Sequence, residues 1–131
     1  MPRRSGSTLA AVDLGSNSFH LLVAKAHQGH LHVLDRLRER VALAEGLDRR
    51  KRLTSDAQER ALACLERFGQ RLRDIPPDAI RAVGTNTLRQ ATNAREFLVR
   101  ARNVLGAPIE VVSGLEEARL IYLGVAHSLS D

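Results

Sequence analysis

Six residues near the start of the chain, Asp13-Leu14-Gly15-Ser16-Asn17-Ser18, combine a carboxylate with residue types that gather backbone amides round an anion. Glycine lets the main chain approach closely. A tight turn aims successive N–H groups to one side as a nest for phosphate-like anions, and Ser and Asn add neutral hydrogen-bonding side chains. A carboxylate beside such a nest repels phosphate unless a hard cation lies between them. Mg²⁺ suits that place, because it takes one or two carboxylates, waters and phosphate oxygens. Asp13 is therefore the candidate metal ligand, and Gly15, Ser16, Asn17 and Ser18 are the candidate phosphate binders. The same residue types also make a plain hairpin turn with an Asx cap, and spacing alone leaves both readings open. Neither a Walker-type lysine motif nor a dinucleotide-binding glycine pattern occurs in the chain.

Two further clusters carry reactive groups. Glu116 and Glu117 are adjacent, so on a helix they point about 100° apart. With Ser113 as N-cap, Glu116 falls at N3, the reciprocal position of a capping box. Leu115, Ala118, Ile121, Tyr122 and Val125 define that helix's packed face. Glu116 points away from it and Glu117 lies on its flank, better placed to reach over a sheet edge into a cleft. Both glutamates also suit the positive end of a helix dipole. Thr85, Asn86 and Arg89 follow an expected parallel strand, at the carboxyl end where open α/β sheets bind ligands. A guanidinium there can pair with phosphate oxygens or simply make a surface ion pair. His20, His27, His30, His32 and His127 show no metal-ligand grouping and suit strand faces or surface.

The elements that must position these groups follow from apolar patterning. Residues 9–14 are an apolar run, residues 19–26 a second, and Gln28-Gly29-His30 a tight turn. Residues 31–41 alternate imperfectly and carry charges. Three strands in an antiparallel meander result, the first central and the third near an edge. Arg49-Arg50-Lys51-Arg52 sits in a charged loop that is either simply solvated or a polyanion contact. Ser55 reads as a helix N-cap with Gln58 completing a capping box. Ala57, Ala61, Cys64, Leu65, Phe68 and Leu72 then form one stripe, ended by Pro76-Pro77. Residues 80–83 form a strand and residues 88–105 a helical stretch closed by Gly106 and Pro108. Residues 109–112 form the fifth strand, and the last helix runs from Ser113 to about His127. The order βββαβαβα with two crossovers makes strands four and five parallel to their neighbours. The expectation is an α/β fold with a five-stranded mixed sheet covered by helices.

Composition narrows the partners. The chain has 131 residues, with 20 Lys+Arg against 15 Asp+Glu and a net charge of +5. Such a surface concentrates polyanions. Aromatics at 3% argue against a base-stacking surface, so nucleic acid is not the expected partner. They also predict an aliphatic core. Cys64 is the single cysteine, read as a small buried hydrophobe. No apolar run approaches the roughly 20 residues that span a bilayer. Residues 1–8 read as a flexible basic arm rather than a signal peptide, and a reducing cytoplasm as the compartment.

Three segments share a resemblance. Ala11-Val12-Asp13-Leu14-Gly15-Ser16-Asn17-Ser18 resembles the first phosphate motif of the exopolyphosphatase and guanosine pentaphosphate phosphohydrolase family, within the actin-like ATPase superfamily. Gly84-Thr85-Asn86-Thr87-Leu88-Arg89-Gln90-Ala91 resembles its second recurring segment, and Val112-Ser113-Gly114-Leu115-Glu116-Glu117-Ala118-Arg119-Leu120 its third. They occur in the family's order and spacing and span nearly the whole chain. The resemblance implies a ribonuclease H-like half-module over residues 9–131 and stepwise hydrolysis of a terminal phosphoanhydride, of polyphosphate or of guanosine pentaphosphate. In it, the 13–18 turn holds the terminal phosphate, Mg²⁺ accompanies Asp13, Glu117 is the general base, and Thr85 and Arg89 stabilise charge on the phosphoryl oxygens. Family members continue into a second lobe with another glycine-rich phosphate loop, and the sequence ends before it. The expected partner is accordingly a C-terminal lobe. Leu120 and Leu123, pointing away from the sheet, suit cover by that part or by a second subunit in a homodimer. Alone, the chain is expected to bind polyphosphate weakly and to turn it over poorly or not at all. A non-catalytic polyanion-binding or nucleic-acid-binding module is the rival reading; a sugar kinase fits the glutamate segment less well.

Overall fold

The strand Ser7–Leu14 (β1) has no polar stripe to give to solvent, and the sheet places it in the middle. The structure, a computed structural model, describes residues 7–112. After β1 come β2 (Ser18–His27), β3 (His30–Arg40), α1 (Ser55–Arg71), β4 (Ile80–Gly84), α2 (Asn86–Gln90), α3 (Ala94–Leu105) and β5 (Ile109–Val111). The sheet order is β3-β2-β1-β4-β5. β1, β2 and β3 pair antiparallel, and β4 joins β1 and β5 joins β4 in parallel. This is the expected five-stranded mixed sheet, with β1 central and β3 at an edge. Ser7 and Thr8, expected to close the basic arm, pair with Ala26 and Lys25. The helix expected from Ser113, with Glu116, Glu117, Leu120 and Leu123, lies outside the described residues, as do residues 1–6.

One face of the sheet is the core. Ala10, Val12 and Leu14 of β1 and Phe19, Leu21 and Val23 of β2 pack with Leu65 and Phe68 of α1 and Phe97, Ala101 and Leu105 of α3. The expected aliphatic core is corrected here. Phe19, Phe68 and Phe97, all of the chain's phenylalanines, are at its centre and at most 1% exposed. Three large rings fill the sheet–helix gap with few residues, each contributing about 2–3 kcal/mol of burial. Cys64 is fully buried on α1, and burial together with the Glu39 charge pushes its thiol up to about 12, so it is an inert packing group.

Helix boundaries differ from the sequence expectation in two places. Thr54 caps α1, its hydroxyl accepting the Ala57 N–H at 3.2 Å, one residue before the expected Ser55. Gln58 donates to the Leu53 carbonyl instead of closing a capping box. The 88–105 stretch breaks into α2 and α3 at Ala91, whose backbone is extended. Asn93 explains the break. Its side chain accepts the Leu53 N–H at 2.8 Å and donates to the Leu53 carbonyl at 3.1 Å, clasping the junction to the start of α1. Gly106 ends α3 in the left-handed conformation at φ 89°, as its position predicts.

On the edge strand, residues facing α1 are ion-paired to it: Asp35 to Arg71 at 2.6 Å, and Glu39 to Arg67. Each exposed pair contributes well under about 1 kcal/mol. They tie β3 to α1, and the other side of β3 concerns the site.

Candidate active site

Four strand ends meet at one rim of the sheet. β1 and β4 both finish there, β2 starts there, and β3 arrives two strands away. A cavity of about 320 Å³ opens at this rim, within the size range of small-molecule sites. Its floor is the 13–18 turn, lined by Asp13, Gly15, Ser16, Asn17 and Ser18. Thr85 and Asn86, between β4 and α2, form one wall, and His20 and Arg38 form the other. The structure thus brings together all the sequence-derived candidates of the first two segments except Arg89. The Arg89 side chain is exposed on the last turn of α2, and the residue's backbone N–H donates to the Thr85 carbonyl at 3.1 Å.

The turn is held tightly from behind. The Gly15 N–H donates to the Ser18 carbonyl at 3.2 Å. A Cβ on Gly15 would stand 2.8 Å from that carbonyl oxygen, so only glycine closes the turn this way. The Asn17 carbonyl accepts from Val41 at 3.0 Å and Ala42 at 2.8 Å, and the Ser16 carbonyl accepts from Ala44 at 3.0 Å. Ala42 adopts φ 53°, ψ 49° to aim its amide there. A non-glycine residue in that conformation costs about 1 kcal/mol or more, offset by Arg60, which donates to the Val41 and Ala42 carbonyls. Arg40 Nε donates to Asn17 Oδ1 at 3.2 Å, and the Thr87 hydroxyl donates to Ser16 Oγ at 2.7 Å. The carbonyls are therefore turned into the protein. The amides of Ser16 and Asn17 have no hydrogen-bond partner among the described residues.

The front of the turn is polar and unsatisfied. Asp13 Oδ1 and Ser18 Oγ are buried with no hydrogen-bond partner among the described residues. Leaving such atoms unpaired costs about 1–3 kcal/mol each. Burial pushes the Asp13 carboxyl above its ordinary range, and the charge of His20 draws it partly back. Both residues line the cavity, and a carboxylate beside a hydroxyl suits a cation with an anion next to it. No group of three His, Cys, Asp or Glu gathers among the described residues. A site with one carboxylate fits Mg²⁺, which keeps waters and takes phosphate oxygens, and does not fit a cation needing an all-protein cage.

Comparison with known proteins places the fold in a family. A model of the Ppx/GppA phosphatase family matches residues 22–131. The chain belongs to the Ppx/GppA phosphatase family. Among solved structures, the Aquifex aeolicus family member superposes with a TM-score of 0.79 at 29% identity, over 96% of this chain and 41% of that one. An exopolyphosphatase from Cytophaga hutchinsonii gives 0.79 at 29% identity, over 91% and 38%. An exopolyphosphatase-like protein gives 0.77 at 31%, over 89% and 36%. The chain therefore spans about two fifths of the length of these Ppx/GppA relatives. Among the described residues, no helix of this family member is long and apolar enough to cross a membrane.

His20 and Arg38 were not singled out as site residues by sequence reasoning. Counting back across the first turn puts Asp13 opposite His20, so that neighbour was readable. Arg38 was hidden by a bulge. Ala24 pairs with Val33 but Val23 pairs with Asp35, so Leu34 is an extra residue on β3. That single insertion moves every following residue to the other face of the sheet, placing Arg38 rather than Leu37 beside His20. The imperfect alternation of residues 31–41 was the only trace of it.

Proposed function

We propose that this chain is the N-terminal portion of a cytoplasmic exopolyphosphatase that removes terminal phosphate stepwise from inorganic polyphosphate with Mg²⁺. The observation that carries this reading is the pair of unpartnered buried atoms, Asp13 Oδ1 and Ser18 Oγ, at the front of a turn whose carbonyls are bonded away behind it. The terminal phosphoryl group lies in the turn, with the Ser18 hydroxyl and the Ser16 and Asn17 amides donating to its oxygens. Asp13 would hold Mg²⁺, which would supply charge to offset the phosphate and polarise its oxygens.

Water then attacks the terminal phosphorus, the bridging P–O bond breaks, and the shortened chain leaves with the bonding pair. Glu117, outside the described residues, accepts the proton from water, in keeping with the resemblance of its segment. Thr85, which lines the cavity, stabilises charge on the equatorial oxygens. The products are orthophosphate and a chain shorter by one unit. The same turn would hold the terminal phosphate of guanosine pentaphosphate, the alternative substrate of this reading. The rest of the complete enzyme, a C-terminal lobe, closes on the other side of the substrate.

Glu117→Gln in the complete enzyme tests this. Orthophosphate release should fall by about 100-fold or more while polyphosphate binding persists. Undiminished release would remove the proposed mechanism. Binding with a steep salt slope and no dependence on Glu117 would instead mark a passive polyanion binder.

A further inference from the structure

Asp13, His20 and Arg38 are consecutive partners across β1, β2 and β3, so their side chains form one row along the cavity wall. Two strand spacings put the Arg38 backbone about 10 Å from that of Asp13, a gap that a long side chain can bridge towards a ligand in the turn. We propose, on the hydrolase reading above, that Arg38 holds the phosphoryl group next to the terminal one. The cavity would then recognise a phosphoanhydride chain rather than a lone orthophosphate.

Three observations carry this. Arg38 is the one cationic guanidinium or ammonium lining the cavity among the described residues. Its neighbours on β3 are engaged elsewhere: Asp35 with Arg71, Glu39 with Arg67, and Arg40 with Glu45 and Asn17. Arg38 makes no ion pair among the described residues, and its planar fork matches two oxygens of a phosphoryl group. The Leu34 bulge is the third. It turns Arg38 to the cavity side, where regular pairing would have put Leu37. The competing account is an arginine that merely keeps an edge strand from pairing with other sheets. Arg36 supplies the control. It lies two residues earlier on the same side of β3 and does not line the cavity.

The test is a phosphorus NMR titration of the 131-residue chain in Mg²⁺ with orthophosphate and, separately, tripolyphosphate. Arg38→Gln should weaken tripolyphosphate about 10-fold or more and orthophosphate less than about 2-fold. Arg38→Lys should fall between, since it keeps the charge and loses the fork. Arg36→Gln should change neither beyond about 2-fold. Thermal midpoints of all three variants establish that each is folded, and Arg38→Lys carries the test if Arg38→Gln is not. Equal weakening of both anions overturns the proposal, as does equal weakening of tripolyphosphate by Arg36→Gln. If the unaltered chain binds neither anion, or binds both without dependence on Asp13, the hydrolase reading fails and this proposal with it. That result is distinct from a chain that binds through Asp13 and ignores Arg38.

Discussion

Two loops of this molecule begin with an aspartate and continue through turn-forming or charged residues, yet they use the carboxylate in opposite ways. In the 48–52 loop, Asp48 Oδ1 accepts the N–H groups of Arg50 at 2.8 Å and Arg52 at 2.9 Å. Those bonds, the Arg52 amide foremost, hold its carboxyl below the ordinary range although it is fully exposed. The loop is closed by a bridge between Leu47 and Leu53 and a bond from the Thr92 N–H to the Lys51 carbonyl at 2.8 Å. In the 13–18 turn, Asp13 is half-buried, its Oδ1 has no described partner, and its carboxyl is pushed up. One aspartate satisfies its own loop. The other is left unsatisfied in a turn whose Ser16, Asn17 and Ser18 carbonyls are bonded from behind. A basic loop draws attention in a sequence, but the proposed binding site is the one distinguished by free acceptor capacity and not by charge density.

Removing the Asp13 carboxylate gives the largest contrast. In the complete enzyme, Asp13→Asn should lower phosphate release by about 100-fold or more and abolish its Mg²⁺ dependence. Stability should move the other way. A raised carboxyl pKa means that the folded state loses stability as pH rises through that value, and bears no penalty below the ordinary carboxylate range. At neutral pH, Asp13→Asn should therefore raise Tm, and the gain should vanish in acid. Mg²⁺ with phosphate should raise the Tm of the unaltered chain and not of the variant. A variant that loses both activity and stability would make Asp13 structural, like Asp48, and erase the distinction between the loops.

Gly15→Ala comes next. The added methyl meets a backbone oxygen rather than a flexible side chain, so the turn must open. Such overpacking costs about 1–3 kcal/mol, and orthophosphate affinity should fall about 10-fold or more, measured by the same NMR titration. Affinity unchanged at reduced Tm would separate the turn's shape from its binding.

The order of strands, the central place of β1 and the position of the 13–18 turn were legible because each rests on local pattern: an apolar run, a cluster of turn formers, a parallel crossover. What escaped was set by pairing between distant residues. The clasp of Asn93 on Leu53 breaks a helix that periodicity reads as nearly continuous. The Leu34 bulge decides which side of β3 faces the cavity, and no local propensity records it. Thr54 displaces Ser55 as cap because either hydroxyl suits the role and only the helix's entry angle chooses. For the site, residue types named the turn, while the orphaned state of Asp13 Oδ1 is a property of the folded surroundings.

The smallest effects belong to the 48–52 loop. Asp48→Ala removes two backbone bonds at a fully exposed position, so Tm should drop modestly at neutral pH with phosphate binding untouched. A lowered carboxyl pKa contributes stability that is present above the ordinary Asp range and is lost as pH falls through the folded value. The deficit of Asp48→Ala should accordingly be full at neutral pH and disappear in strong acid, the same pH window as the Asp13→Asn gain but with the opposite sign. Converting Arg50 and Arg52 together to Gln retains both amides and should change tripolyphosphate affinity by less than about 2-fold at physiological salt, where exposed charges beyond about 8 Å are screened. Titration at low and high salt reads this directly. A loss as large as that from Arg38→Gln, persisting at high salt, would place the polyanion on the basic loop, and the cavity at the rim of β1 would no longer be the place where the chain is gripped.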